Sequence, residues 1–206
     1  VGSEMCIRDR NRAKDGKLLY HLTELKNLQS ILNGGLQPRR QLEQSRMNFV
    51  DIADPEIILR RRNLELDSFV PFHFHPYSAF DAAVKHSHVN DTLLYICISR
   101  KFAQEHDFKI LPKHPLAEEN FTIYDYNEGL SKIDWDTMME VGNYSKEAKN
   151  IKMAEALCSD IIYAHNFHSI TVASTTDKNR VENILHANCI AFPPPYVDVQ
   201  AEWFHV

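Results

Sequence analysis

The chain has 206 residues, 44% of them apolar and 25% charged, with 23 Lys+Arg against 28 Asp+Glu and a formal net charge of -5. That length supports one buried core without requiring two domains, and the acidic balance excludes a protein that coats nucleic acid nonspecifically. No run approaches the roughly 18 consecutive apolar residues of a membrane span, and no apolar signal core stands at the start, so a cytoplasmic protein is expected.

Residues 1–10 contain Glu4-Met5-Cys6-Ile7-Arg8-Asp9, which resembles translated adapter DNA. They are expected to be a non-native extension of a single domain over residues 11–206. Lys17 to Leu22 is β-prone, and Thr23 is placed to cap a helix whose Leu25, Leu28, Ile31 and Leu32 share a face, ended by Gly34-Gly35. Gln37 to Asn48 is polar, rich in Arg and Gln, and reads as a mobile loop. Asp54-Pro55-Glu56 then starts a helix that carries Arg60-Arg61-Arg62 at its C-terminal end.

Phe69 to Phe74 is a strand candidate. Pro71 argues against a central ladder position unless the strand is bulged or near an edge. Ser78 to Lys85 reads as a helix and Thr92 to Ser99 as a buried strand, followed by loops and one or two short strands over residues 103–133. Helical patterning covers Asp134 to Val141 and Ser145 to Leu157, the second carrying Glu155. Strands at Ile161 to Ala164, Ser169 to Ala173 and Tyr196 to Val199, with a helix at Asp177 to Ala187, complete an α+β plan.

Four features bear on chemistry. The cysteines, Cys6, Cys97, Cys158 and Cys189, are far apart and form no CxxC, which suggests reduced, mainly buried thiols. His73 and His75 would share a strand face and suggest a metal, but His86 and His88 fall at a helix end, where that spacing does not converge. No acidic ligand accompanies either pair, and no metal is expected. Neither a glycine-rich phosphate cradle nor a GxSxG nucleophile motif is present. Residues 1–62 hold 12 Lys+Arg against 8 Asp+Glu, and the rest 11 against 20, so Arg39, Arg40, Arg46 and the triplet could form a local phosphate-facing patch or a solvated loop surface.

His21, an arginine of the triplet and Glu155 remain. A carboxylate facing a ribose can stabilise an oxocarbenium-like centre, while an arginine neutralises a diphosphate. A single carboxylate is not the pair used by most glycoside hydrolases, which directs the reading toward transfer from a nucleotide sugar.

Leu19-Tyr20-His21-Leu22-Thr23 with Asn27-Leu28 and Ile31-Leu32, Glu56-Ile57 through Arg60-Arg61, Val70-Pro71-Phe72-His73-Phe74, Ile133-Asp134-Trp135, Ala154-Glu155 and Trp203-Phe204 occur in that order. Together they resemble the DarT-type DNA ADP-ribosyltransferases, the toxin half of bacterial toxin-antitoxin pairs. The resemblance implies an ADP-ribosyltransferase-like split mixed β-sheet surrounded by helices, with NAD as substrate. It assigns His21, Thr23 and Asn27 to the nicotinamide-ribose side, Arg61 (or, with a one-residue shift, Arg62) as catalytic arginine, and Glu155 as catalytic glutamate, expected to help deprotonate the base being modified. The loop carrying Arg39, Arg40 and Arg46, with Phe49 beside it, would cover NAD and meet single-stranded DNA. A cognate antitoxin that removes ADP-ribose is the implied partner. Thymine-modifying members tend to continue after the Val-Pro-Phe strand with a Pro-Arg-Ser-Pro-Met type segment, where this chain has Pro76-Tyr77-Ser78-Ala79-Phe80-Asp81. Thymine and guanine both stay open as the target base. Other acceptors, protein, RNA or water, and a noncatalytic nucleic-acid-binding module are the competing expectations.

Overall fold

The computed structural model describes residues 13–117 and 121–205. The expected extension at residues 1–10 lies outside them, as does Cys6. In chain order the elements are β1 (Leu18–Glu24), α1 (Leu28–Gly34), α2 (Arg39–Gln44), α3 (Pro55–Asn63), β2 (Val70–His73), α4 (Ala79–Ser87), β3 (Leu93–Ser99) and α5 (Arg100–Glu105). These are followed by β4 (Lys109–Leu111), α6 (Tyr126–Lys132), α7 (Trp135–Met139), α8 (Lys146–Lys152), β5 (Glu155–Cys158), β6 (Ser169–Val172), α9 (Thr175–Ala187) and β7 (Tyr196–Val199).

The strands form one sheet in the order β4-β5-β2-β1-β3-β6-β7, antiparallel throughout except for the parallel β6–β7 pair. β3 is buried on both faces from Leu93 to Ile98, and its side chains divide between two clusters by alternation. Ile96 and Ile98 join Leu19, Phe72, Ala156, Ile170 and Val181 on the larger side, while Tyr95 and Cys97 join Leu22, Val84 and Trp203 on the other.

The split lies between β1 and β2. β1 pairs with β3 over seven positions and β2 with β5 over four, but β1 and β2 share only Tyr20↔His73. Pro71 therefore does occupy an interior strand, at the point where that strand separates from its neighbour. Its ring removes a donor, and its carbonyl instead accepts a hydrogen bond from the His21 side chain at 2.8 Å.

Several expectations are corrected. Helix α8 stops at Lys152, and Glu155 opens a strand instead of lying on a helix. Ala154 to Cys158 is buried throughout, and pairing with β2 and β4 outweighs the helix preference of an Ala-rich, Leu-containing run. The Gln37 to Asn48 segment is not all loop, because Pro38 precedes helix α2. Ile161 to Ala164 makes a single bridge, Leu36↔Ile162, and then a 3-10 turn. Thr23 belongs to β1 and caps nothing; its hydroxyl accepts from the Asn27 side chain at 3.1 Å.

Helix α6 (Tyr126–Lys132) likewise falls within residues 103–133, expected as loops and short strands. Asp54 caps α3 through the Glu56 amide, and the three arginines complement the negative end of its dipole. Ser78 and Asp81 form a reciprocal capping box at α4. Cys97 and Cys158 are buried free thiols, and Cys189 is exposed. Among the described residues, no helix is long and apolar enough to cross a membrane.

Candidate active site

A cleft opens along the seam between β1 and β2. Its walls come from Tyr20 to Thr23 of β1, Arg61 of α3, His73 of β2, Phe80 and Asp81 of α4, His114, Glu155 of β5, and the segment Met47 to Ala53. The register accounts for the convergence: Tyr20, His73 and Glu155 are consecutive cross-strand partners and so project to one face.

Glu155 is 3% exposed, and both of its oxygens are bound by Arg61, from Nη1 at 2.8 Å and Nη2 at 3.0 Å. Burial pushes its pKa up, but the charge and hydrogen bonds of Arg61 outweigh burial and hold the carboxyl below the usual carboxylate range. The two-bonded geometry also separates the two candidate arginines. Arg61 turns into the cleft, whereas Arg62 turns outward to Glu43, 2.6 Å away.

His21 is held by geometry in one tautomer. The Pro71 carbonyl can only accept, so Nδ1 carries the hydrogen and Nε2 presents a lone pair. Burial pulls its pKa down to about 4, so the ring is neutral at physiological pH. His114 is the complement: the Leu116 amide donates to its Nδ1 at 3.0 Å, leaving Nε2–H as the donor. Burial lowers the His114 pKa as well.

Asn27 lines the cleft, yet its amide is already engaged. It donates to Thr23 Oγ1 and to the Val50 carbonyl at 2.8 Å, and its oxygen accepts the Val50 amide at 2.7 Å. It fastens the Met47 to Ala53 wall to the end of β1. Arg39 pairs with Asp51 and lies 5.3 Å from the Phe49 ring centroid; Arg40 pairs with Asp67 at 2.7 Å. The loop therefore folds back toward α3 as a basic patch requires, but Asp51, Asp67 and Glu43 offset much of its charge. Arg46 is exposed and pairs with no carboxylate among the described residues.

His73 and His75 do not act together. His73 Nδ1 faces Ser78 Oγ and Asp81 of α4, while His75 Nδ1 accepts the Tyr77 amide. The sequence singled out neither Asp81 nor His114 for the site. The Ser78/Asp81 capping signal was available for the former, whereas His114 sits in an irregular stretch without a local cue.

Residues 20–205 match the family model described as "ssDNA thymidine ADP-ribosyltransferase, DarT". A curated "DNA ADP-ribosyl transferase" of Thermus aquaticus is 27% identical over 204 residues, covering 91% of this chain and 89% of its own length. Among solved structures, Thermus sp. 2.9 DarT in complex with ADP-ribosylated ssDNA shares the fold with a TM-score of 0.78 at 22% identity, over 93% of this chain and 97% of that one. The same protein in complex with NAD+ gives 0.74 at 20% identity, over 92% and 98%. Thermosipho africanus DarTG in complex with ADP-ribose gives 0.69 at 19% identity, over 92% of this chain and 51% of that one. With the family model spanning nearly the whole chain, and with the split sheet and its cleft in place, the chain belongs to the DarT family of ssDNA ADP-ribosyltransferases.

Proposed function

We propose that the protein transfers ADP-ribose from NAD to a base of single-stranded DNA, and that the cleft between β1 and β2 is where it does so. The observation that carries this reading is the buried Arg61–Glu155 pair lining the same cleft as neutral His21. In this assignment Glu155 keeps a fixed negative charge opposite the ribose carbon as the nicotinamide leaves, and Arg61 orients that carboxylate and meets the phosphates. His21 offers an acceptor lone pair to the nicotinamide-ribose side, with the Thr23 hydroxyl beside it. Asn27 acts there indirectly, by holding the Val50 wall in place. Arg39, Arg40, Arg46 and Phe49 form the DNA-facing edge, where an aromatic ring can stack on a base and Arg46 supplies the least compensated charge.

Thymine is the first expectation for the target, on the family description. Guanine is the second, favoured by Pro76-Tyr77-Ser78-Ala79-Phe80-Asp81 standing where a Pro-Arg-Ser-Pro-Met type segment is usual for thymine. A toxin role in the cytoplasm, restrained by an antitoxin that removes ADP-ribose, is the setting proposed for it.

Incubation with NAD and four oligonucleotides, each carrying one copy of a different base in an inert context, tests this by mass spectrometry. One ADP-ribose added to a single oligonucleotide, lost in Glu155→Gln, is the expected result. No adduct on any of the four sinks the reading, and modification of RNA or protein in their place would assign another acceptor.

A further inference from the structure

The arginines that close α3 fan out over the mouth of the cleft. Successive residues of a helix turn by about 100°, so Arg61 enters the cleft between neighbours that face opposite banks. Arg62 reaches Glu43 of α2 on one bank. Arg60 reaches the other, where its Nη2 donates to the Leu116 carbonyl at 3.1 Å. Arg61 is paired with Glu155 and Arg62 with Glu43, but Arg60 is exposed and meets no carboxylate among the described residues. Part of its guanidinium fork is spent on a neutral carbonyl, and its charge stays uncompensated.

That charge stands at a groove. Arg60, Asn63 and Leu64 form one side of it, and Pro115 and Leu116 the other. The groove continues the cleft, because Arg60 adjoins Arg61 and Pro115 adjoins His114, and both Arg61 and His114 line the cleft. Its far wall is fixed without Arg60. The His114 amide donates to the Asn150 carbonyl at 2.9 Å, and the Leu116 amide donates to His114 Nδ1 at 3.0 Å.

A forked cation beside an exposed amide, on a wall of Pro and Leu, matches one link of a nucleic-acid strand. The phosphate takes the guanidinium donors, and the sugar or base lies against the apolar side chains. The opposite bank has its own exposed arginine, Arg46, which follows α2. A base that enters the cleft between the banks leaves a neighbouring phosphate on each.

We infer that the groove between the end of α3 and the His114 to Leu116 turn binds the nucleotide next to the modified base, with Arg60 on its phosphate. This rests on the transfer reading above. The chemistry stays with Glu155 and Arg61; the groove adds a grip on the strand at one side of the target.

The test is a charge-neutralisation scan on the full chain. An oligonucleotide that wild type modifies is made in versions that each carry one uncharged methylphosphonate linkage. Fluorescence anisotropy follows their binding with a nonhydrolysable carba analogue of NAD present. Affinity for a single strand varies with about the 0.7 power of salt per phosphate contact, so one contact is worth about fivefold at about 0.1 M salt. Gln at position 60 can keep a donor on the Leu116 carbonyl without the charge. Arg60→Gln should lose about that factor on the fully charged oligonucleotide, and its plot of log K against log salt should be shallower by about 0.7. Neutralising one linkage that adjoins the target should cost wild type the same factor and cost Arg60→Gln nothing, the non-additivity of a direct contact.

The inference is overturned by an Arg60→Gln protein that binds like wild type, by linkage effects that are equal in the two proteins, or by coupling to a linkage away from the target. A loss of DNA affinity matched by an equal loss of affinity for the NAD analogue and a lower thermal midpoint also overturns it, because Arg60 would then serve only to buttress the His114 turn. Wild type forming no adduct on any oligonucleotide rejects the transfer reading itself, so the two failures are separate.

Discussion

Arg61 and Glu155 meet across the cleft in an ion pair with two hydrogen bonds, although 94 residues separate them in the chain. Arg61 comes from the C-terminal half of α3 and Glu155 from the first position of β5, so the pair ties the helix to the β4-β5-β2 half of the sheet. Its carboxylate side is the more deeply buried, with 5% of the Glu155 side chain exposed against 17% for Arg61. Removing one partner is therefore unlike removing both, because a lone buried carboxylate is left without compensation.

Arg61→Ala should destabilise the protein by about 3 kcal/mol at neutral pH, the low end of the range for a broken buried pair, since Arg61 keeps some contact with solvent. Glu155 titrates below its ordinary 4.5 in the folded state. The pair's contribution is thus complete above that value and is lost as pH falls through the lower folded value. Urea midpoints of wild type and Arg61→Ala should converge in acid. Glu155→Gln should lose about 10²–10³-fold in transfer rate, as expected for a group that stabilises developing charge. A midpoint difference independent of pH would rule out this account of the pair.

The neutral state of His21 predicts a stability slope of the opposite origin. Its folded pKa is about 4 against 6.5 when unfolded, so between these values the unfolded chain binds the extra proton, and stability rises with pH. After discounting for the part of the ring that meets the open cleft, the effect is about 2 kcal/mol. Asn at this position can keep a donor on the Pro71 carbonyl without titrating. His21→Asn should therefore flatten the difference in thermal midpoint across that window relative to wild type. An unchanged slope would show that His21 is charged in the folded protein.

The sequence signals that proved accurate were local ones. Asp54-Pro55-Glu56 declares a helix start through a side chain to backbone bond that closes within two residues. The unbroken apolar run of β3 is a central strand for the reason such runs usually are. Glu155 was identified as a residue but placed on the wrong element. The run around it favours helix, and only its pairing partners, Phe72 and His73 in β2 and Ile110 and Leu111 in β4, make it a strand. The same nonlocality hid His73. Read along the chain it is one of two alternating histidines, and its relation to Glu155 exists only in the register.

Gly35 provides a test of the cleft wall. It adopts φ 83° and ψ 164°, a region essentially closed to side chains, and a Cβ there would lie 2.3 Å from Ile161 Cγ2. Gly35→Ala should cost about 3 kcal/mol from strain and overlap together. Because Gly35 and Leu36 line the cleft and Leu36 bridges to Ile162, the affinity for NAD should fall as well. Thermal denaturation and NAD titration would check both, and an Ala variant as stable as wild type would contradict the backbone geometry.

The arginines of the loop should behave differently from one another on DNA. Arg40 is paired with buried Asp67, so Arg40→Ala removes an ion pair that joins α2 to the turn before β2 and should act partly through stability. Arg46 is exposed and has no carboxylate partner among the described residues, so its charge is available to a phosphate. Arg46→Ala should weaken binding of a single-stranded oligonucleotide whatever its sequence and leave the thermal midpoint unchanged. It should also make the dependence of log K on log salt shallower by about 0.7, the value for one phosphate contact on a single strand. Fluorescence anisotropy across a salt series measures this slope. If the slope is unchanged while Arg40→Ala reduces it, the phosphate track runs along the inner, α3 side of the loop, and the Arg40–Asp67 pair must open to admit DNA.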